Sequence, residues 1–274
     1  MKGKVCIITG ANRGIGKATA TVFAQLGATV ILACRNKEGG EIAKADIITA
    51  TGNSNVELML VDLSVQGSIQ KIVTDFGNKY DRLDVLINNA GVYKSQRELT
   101  PDGLEMMFAT NHLGPFFLTN LLLDKLKASQ PSRVLVVTAP SITPVDFDNL
   151  QGERRFSSLQ AFGVTKMCNL LFTYELSRRL EGTGVTVNGV HPGLSKTKLM
   201  REAPIILRWL TQFASKKPGK AAESLAYLAS SAEMANTTGR FFKDRKEIKS
   251  NQYSYDQNVQ HQLWAVSTAL IKPR

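Results

Sequence analysis

Phe162 and Lys166, four positions apart in the stretch 161–166, are the residues whose types and spacing bear most directly on proton chemistry. A spacing of four puts both side chains on one face of a helix. A lysine cation on that face would lower the pKa of a neighbouring phenol from about 10 towards neutrality, so that the phenol could exchange a proton with a substrate. Phe162 has the ring without the hydroxyl. The pair as it stands therefore offers a lysine cation and an aromatic ring, with no phenol between them and a substrate.

A glycine-rich turn stands near the N-terminus. The apolar run 5–8 predicts a short buried strand, and a helical pattern extends from Lys17 to Leu26. The turn between them has the spacing GxxxGxG, in which glycines let a backbone approach a pyrophosphate and the helix N-terminus favours negative charge. We expect a nucleotide site formed by Gly10, Asn12, Arg13, Gly14, Ile15 and Gly16.

The second apolar run, 28–33, ends in Cys34 and Arg35. A site for NAD usually has an acidic residue there to bind the ribose 2′-hydroxyl, whereas an arginine accommodates a 2′-phosphate. Arg35, with Arg13 in the glycine turn, therefore favours NADP(H) as the cofactor. The alternative is that both arginines are solvated loop residues.

These motifs resemble those of the short-chain dehydrogenase/reductase family, in the family's order and along most of the chain. The resemblance implies that Asn111 is the catalytic-site asparagine and that it acts with Lys166. It also implies that further residues complete the cofactor site, namely Asp62, Leu63, Asn89, Ala90, Gly91, Lys166, Pro192, Gly193 and Thr197.

A finer resemblance is to the retinol-dehydrogenase-like branch of that family. It is carried by 175–184, by the His-Pro-Gly run at 191–193, and by 239–242 with a later Leu-Trp pair. Members of this branch act on hydrophobic aldehydes and alcohols, and many have an N-terminal membrane anchor. Here residues 1–4 lead straight into the first predicted strand, so we expect a cytoplasmic protein, with peripheral membrane contact as the alternative.

Two positions depart from the family pattern. The resemblance places a tyrosine where Phe162 stands, and counting from predicted strand 133–138 places a serine where Ala139 stands. Ser141 in a shortened loop is one candidate for the missing hydroxyl and Thr138 is another; ordinary turn chemistry is the alternative for both. The predicted catalytic set is Asn111, Lys166, Ser141 and Phe162.

Three explanations of Phe162 stay open at this point: an engineered Tyr→Phe change, a natural loss in a cofactor-binding pseudoenzyme, or chemistry that needs no phenol. The leading hypothesis is an NADP(H)-dependent oxidoreductase for a hydrophobic carbonyl or alcohol, with an altered proton relay. In it, Asn111 and Lys166 hold the relay water. The rival is a non-redox protein of the same fold, either a pseudoenzyme or a catalyst of rearrangement or cyclisation.

Short apolar runs alternate with helical patterns along the chain. This alternation predicts one doubly wound, Rossmann-type parallel α/β sheet flanked by helices, forming a single domain over 1–274. Its strands are expected near 5–9, 28–33, 56–61, 83–87, 133–138 and 185–190. An apolar segment near 194–220 is expected to be a substrate lid, with a membrane-surface helix and a helix covering the core as alternatives.

Composition limits the remaining function classes. The net charge of +11 can attract an anionic cofactor, but the chain has no helix-turn-helix, zinc-finger or aromatic-basic pattern for nucleic acid. Three scattered cysteines and three histidines show no metal-ligand spacing. No apolar run reaches the roughly 18–20 residues of a membrane span. The resemblance implies a homodimer or homotetramer.

Overall fold

The structure, a computed structural model, describes residues 1–193 and 218–271. Short runs rich in apolar residues form one continuous sheet of β1 (Val5–Thr9), β2 (Thr29–Cys34), β3 (Val56–Leu60), β4 (Val85–Asn88), β5 (Ser132–Val137), β6 (Val185–His191), β7 (Arg240–Lys243) and β8 (Lys246–Glu247). The spatial order is β3-β2-β1-β4-β5-β6-β7-β8. Neighbours from β3 to β7 pair in parallel, and β8 pairs antiparallel with β7. The predicted parallel α/β sheet is confirmed.

The helices of the described residues are α1 (Gly14–Gln25), α2 (Lys37–Thr51), α3 (Gln66–Gly77), α4 (Met106–Phe108), α5 (Gly114–Ala128), α6 (Ser158–Arg179), α7 (Pro218–Ser230) and α8 (Gln257–Leu270). A π-helical turn, Ala109–Leu113, joins α4 to α5. One face of the sheet packs against α3, α5, α6 and α8, and the other packs against α1, α2 and α7. Covering on both faces explains why every residue of β1 and β4 is buried.

The strand order reverses between β1 and β4, which creates a crevice at the carboxyl ends of these two central strands. From β1 the chain adds β2 and β3 on one side, and from β4 it adds β5, β6 and β7 on the other. In open parallel sheets, ligands bind outside the carboxyl ends of the strands at such a reversal. The carboxyl ends of β1 and β4 are therefore where a cofactor would be expected.

The structure differs from the sequence-based expectations at several boundaries. Helix α1 begins at Gly14 rather than Lys17, so the end of the glycine turn forms the first turn of the helix, with Gly14 itself at a φ of +58°. Strands β7 and β8 were not predicted, since four and two residues with charged ends give no clear alternating pattern. Of the expected lid near 194–220, only 218–220 are described, as the start of α7.

No helix within the described parts of the chain combines the length and the apolar character that a membrane span requires.

Candidate functional site

Most of the predicted site residues follow the carboxyl ends of parallel strands and so meet at one edge of the sheet. The turn after β1 supplies the glycine-rich set, and the ends of β2, β3, β4, β5 and β6 supply Arg35, Asp62, Asn89 to Gly91, Ser141, and Pro192 with Gly193. Helix α6 adds Phe162 and Lys166, and the π-helical turn adds Asn111. Thr197 lies outside the described residues.

The glycine turn depends on the absence of side chains at two positions. Gly10 has a φ of +66°, in the left-handed region, and a Cβ there would lie 3.0 Å from the Cα of Ala90. A Cβ on Gly16 would overlap the carbonyl oxygen of Gly10 and lie 2.7 Å from Asn89 Nδ2. These close approaches bring the turn after β1 against the turn after β4.

Thr9, which sequence reasoning did not single out, joins the same two turns by hydrogen bonds. Its Oγ1 accepts from the backbone N–H of Asn89 at 2.9 Å and of Ala90 at 3.0 Å, and donates to the Ile87 carbonyl at 3.2 Å. Asn89 Nδ2 in turn donates to the Thr9 carbonyl at 2.8 Å. The sequence offers only a local signal here, a threonine at the end of a strand just before a glycine turn, and that signal does not indicate the contacts with the turn after β4.

The N-terminus of α1 is open to an anion. Arg13 occupies the cap position with extended backbone, makes no side-chain capping hydrogen bond, and no acidic residue stands in the first turn. The first backbone N–H groups of a helix have no partner within it, and the helix dipole favours negative charge there. Ile15 is partly buried against the core, so it would contribute through its backbone. The turn thus fits the pyrophosphate of a dinucleotide.

Two predicted cofactor residues contact each other. Arg35 Nη1 lies 3.5 Å from Asp62 Oδ2, and the arginine side chain is 67% exposed. Exposed ion pairs of this kind contribute at most about 1 kcal/mol, so Arg35 can turn to another anion at little cost. Asp62 also accepts hydrogen bonds from the backbone N–H and the hydroxyl of Ser64.

Leu63, a predicted cofactor residue, is buried, and no contact among the described residues tests that prediction. Its side chain is buried in the core, and a Cβ on Gly114 would lie 2.9 Å from Leu63 Cβ. Burial follows from the alternation of side chains after β3, which turns Leu63 towards α5. Any contact of Leu63 with a ligand in the crevice would therefore come from its backbone. Asn12, by contrast, stays at the turn, where its Nδ2 lies 3.2 Å from the position of a Cβ on Gly39.

Asn111 lies in the π-helical turn beside α6, and both polar atoms of its side chain make hydrogen bonds within the protein. Oδ1 accepts from the Val92 N–H at 2.7 Å, and Nδ2 donates to the Val92 carbonyl at 2.9 Å and to Thr165 Oγ1 at 3.2 Å. Its backbone carbonyl accepts from Asn169 Nδ2 at 3.0 Å. The amide therefore fixes the segment after β4 against α6. Oδ1 and the backbone carbonyl oxygen of Asn111 each accept one of these hydrogen bonds, and each has a second lone pair with which it could bind a water molecule.

Lys166 and Phe162 lie together beside the turn after β4. Lys166 Nζ is 4.9 Å from the centroid of the Phe162 ring and 3.8 Å from the position of a Cβ on Gly91. An ammonium over an aromatic face is attracted by the ring. Burial lowers the pKa of Lys166 from 10.5 to about 8. Within the described residues Nζ has no carboxylate partner, which is consistent with that direction.

The ring of Phe162 also contacts Tyr93, a residue that sequence reasoning missed. The two rings meet edge to face with centroids 5.6 Å apart, and the Tyr93 hydroxyl donates to Ser158 Oγ at 2.8 Å. Tyr93 is buried, so its phenol is engaged within the protein. The sequence signal that could have identified Tyr93 is an aromatic residue shortly after the turn that follows the predicted fourth strand.

The two hydroxyls proposed for the missing serine both bond to the backbone of α6. Ser141 Oγ donates to the Gly163 carbonyl at 2.8 Å, and Thr138 Oγ1 donates to the Lys166 carbonyl at 2.9 Å. These contacts hold α6 against the end of β5. Neither hydroxyl has its proton free for a substrate.

His112, one of the three histidines without metal-ligand spacing, is buried next to Asn111. Its Nε2 lies 2.9 Å from Ser267 Oγ, and burial lowers its pKa to about 4. No group of three or more histidine, cysteine, aspartate or glutamate side chains within residues 1–193 and 218–271 is arranged to hold a metal ion.

Comparisons with known proteins agree with this geometry. Residues 4–205 match the short chain dehydrogenase family model. The chain is 41% identical to human retinol dehydrogenase 13, over 98% of this chain and 85% of the relative, and 41% identical to human retinol dehydrogenase 11, over 99% and 86%. A solved structure of an uncharacterized protein from Mycobacterium paratuberculosis is similar with a TM-score of 0.79 and 30% identity, covering 100% of this chain and 95% of that chain.

A mutant short-chain dehydrogenase/reductase from Serratia marcescens is similar with a TM-score of 0.72 and 25% identity, over 88% of this chain and 96% of that chain. The family match covers the glycine turn, the β4 turn and α6, which are the parts that form the site. The chain therefore belongs to the short-chain dehydrogenase/reductase family of oxidoreductases, in its retinol-dehydrogenase-like branch.

Proposed function

We propose that this protein is an NADP(H)-dependent oxidoreductase that interconverts a hydrophobic carbonyl compound and its alcohol, with a proton relay that uses no phenol at position 162. The observation that carries the proposal is the position of Lys166 Nζ, 3.8 Å from the position of a Cβ on Gly91 at the crevice. The same crevice begins at the open N-terminus of α1. Under this proposal, anion binding and proton chemistry share one site.

The residues of the β1 turn would hold the cofactor pyrophosphate, and Arg13 and Arg35 would hold a 2′-phosphate. The bound nicotinamide supplies or accepts the hydride. Support for NADP(H) comes from the exposed guanidinium of Arg35, which a weak ion pair leaves free to move, and from the absence of an acid at positions 34–37. The curated relatives are named for retinol, a hydrophobic alcohol, which supports an apolar substrate.

The proton relay is assigned to a water molecule held by Lys166 and by the backbone carbonyl of Asn111. Lys166 is a hydrogen-bond donor whose Nζ has no carboxylate partner among the described residues. Its pKa of about 8 lets it release a proton near neutral pH more readily than an ordinary lysine. The Phe162 ring limits the space around Nζ without offering a proton of its own.

A second candidate function is a non-redox role for the same fold. It is favoured by the engagement of Thr138 and Ser141 with α6, because those hydroxyls then cannot polarise a carbonyl group. Under this alternative the cofactor would bind as a structural or regulatory ligand and would not turn over.

The two functions are separated by single-turnover oxidation of NADPH with a panel of hydrophobic aldehydes and ketones. The parent protein, Phe162→Tyr and the matched apolar control Phe162→Leu are compared. We expect slow turnover by the parent and the leucine variant, and faster turnover by the tyrosine variant. Binding of NADPH without turnover by any of the three would contradict the oxidoreductase proposal and favour the non-redox role.

A further inference from the structure

A third hydroxyl lies in the turn after β5. Thr143 follows Ser141 by two residues, and its Oγ1 makes no hydrogen bond to any residue that the structure describes. This separates it from Thr138 and Ser141, whose hydroxyls are both bonded to carbonyls of α6. Thr143 is only partly buried. Its hydroxyl is therefore able to donate to an incoming group.

The turn packs against α6 at a residue that has no side chain. A Cβ on Gly163 would lie 2.5 Å from Thr143 Oγ1 and 3.2 Å from Thr143 Cβ. The side chain of Thr143 thus occupies the space that any other residue at 163 would fill. Because helical positions are 100° apart, Gly163 and Lys166 differ by about 60° around the axis of α6. The Thr143 hydroxyl therefore lies towards the side of α6 that carries Lys166.

Ser141 fixes the orientation of this turn. Its hydroxyl donates to the Gly163 carbonyl at 2.8 Å and accepts from the Thr143 N–H at 3.2 Å. One hydroxyl thereby ties the backbone of Thr143 to the backbone of α6. Ser141 acts in this arrangement as a positioning residue for Thr143.

The residue between them is suited to an apolar ligand. The side chain of Ile142 is 84% exposed, more than any other large apolar side chain in the described parts of the chain. An isolated exposed isoleucine is common on protein surfaces and carries no conclusion by itself. Here it borders a free hydroxyl at the lysine-bearing side of α6, so a hydrophobic carbonyl compound could contact both.

We propose that Thr143 Oγ1 donates the hydrogen bond that polarises the substrate carbonyl oxygen, in place of the serine that the family pattern expects at Ala139. This assignment rests on the proposed function. Thr143 itself would form and break no covalent bond: a reduced nicotinamide would supply the hydride to the carbonyl carbon and be oxidised, the relay water held by Lys166 would supply the proton to the carbonyl oxygen, and Thr143 would keep its own proton. Hydrogen bonds to a developing oxyanion are each worth about 10²–10³ in rate.

The test measures the carbonyl stretching frequency of bound acetophenone labelled with ¹³C at the carbonyl, in the presence of NADP⁺. The parent protein is compared with Thr143→Val, which keeps the shape without the hydroxyl, and with Thr143→Ser, which keeps the hydroxyl. We expect a lower frequency in the parent and the serine variant than in the valine variant. Equal frequencies in the parent and the valine variant would overturn the assignment.

Kinetics on the Phe162→Tyr background give an independent readout. There, Thr143→Val should lower kcat by about 10²-fold with little change in KM, and Thr143→Ser should retain most of the rate. A valine variant as fast as its background would overturn the assignment and leave the oxidoreductase proposal standing. If acetophenone binds to none of the variants and no carbonyl compound is reduced even by Phe162→Tyr, the proposed function fails and this assignment fails with it.

Discussion

The two halves of the crevice are built in different ways. On the β1 and β4 side, binding depends on backbone geometry, with the glycine turn held against Asn89 and Ala90 by close approaches and by Thr9. On the β5 and α6 side, the proposed chemistry would depend on single side-chain oxygens, and position 162 carries a ring without one. Backbone geometry is disrupted by almost any substitution, whereas one oxygen can be absent while the fold is kept.

The packing around Phe162 explains why the fold does not require a hydroxyl on this ring. The ring meets Tyr93 edge to face and lies under Lys166 Nζ. Both contacts need the aromatic ring and neither needs a hydroxyl. The side chains of the β5 and α6 half can therefore change while the fold is kept, whereas the backbone geometry of the β1 and β4 half stays constrained.

The largest expected effect is on the cofactor side. Gly16→Ala would place a methyl group against the Gly10 carbonyl and force the turn apart. We expect a loss of NADPH affinity of at least about 10²-fold, as expected when a positioned anion site is displaced. Fluorescence titration with NADPH measures it. The control is Gly67→Ala in α3, where nothing lies within 4 Å of the new methyl group; an equal loss there would show that the effect is not local.

The next effect tests whether the Phe162 ring is kept for packing. Phe162→Ala should lower the free energy of unfolding by about 2 kcal/mol, less than the 3–5 kcal/mol of a fully buried ring because Phe162 is partly exposed. Phe162→Tyr should change it by less than about 0.5 kcal/mol. Urea denaturation measures both. An alanine variant as stable as the parent would mean that the ring contributes no packing.

A smaller effect concerns the charge on Lys166. Burial lowers its pKa from 10.5 to about 8, so the unfolded chain binds more protons than the folded one between those values and stability rises with pH there. Lys166→Met should therefore stabilise the protein at pH 7 by about 1–2 kcal/mol, a value reduced for the partial exposure of the side chain. The difference between variant and parent should shrink by pH 10. A difference that is constant with pH would show that Lys166 titrates normally.

The smallest effect concerns the choice of cofactor. Arg35→Ala should weaken NADPH binding about 10-fold, the value of one charge-assisted hydrogen bond, and leave NADH binding unchanged. Calorimetric titration with both nucleotides measures it, with Arg154→Ala in the exposed loop before α6 as the control. Equal loss of both nucleotides would show that Arg35 does not contact the 2′-phosphate.

Much of the cofactor side could be predicted from sequence because it is local. The strand, turn and helix around Gly10 to Gly16 are contiguous, and the role of each glycine follows from its spacing. Thr9 was missed because its partners, Asn89 and Ala90, are about 80 positions away. No short pattern records a contact over that distance.

The proton side was less predictable because it depends on long-range side-chain contacts. The sequence gives Asn111 as a polar residue and does not show that Val92 and Thr165 engage its amide. It gives Ser141 as a hydroxyl and does not show that the Gly163 carbonyl accepts its proton. Thr143 becomes a candidate only when the turn is seen packed into the space beside Gly163.

The most direct test of the contrast between the two halves measures binding and chemistry on the same samples. The parent protein and Phe162→Tyr are titrated with NADPH and then mixed in single turnover with the best carbonyl compound of the panel. We predict equal NADPH affinities within about twofold and a rate higher by about 10²–10⁴ in the tyrosine variant, the range for a positioned general acid. Equal rates, or an NADPH affinity that changes as much as the rate, would contradict the account.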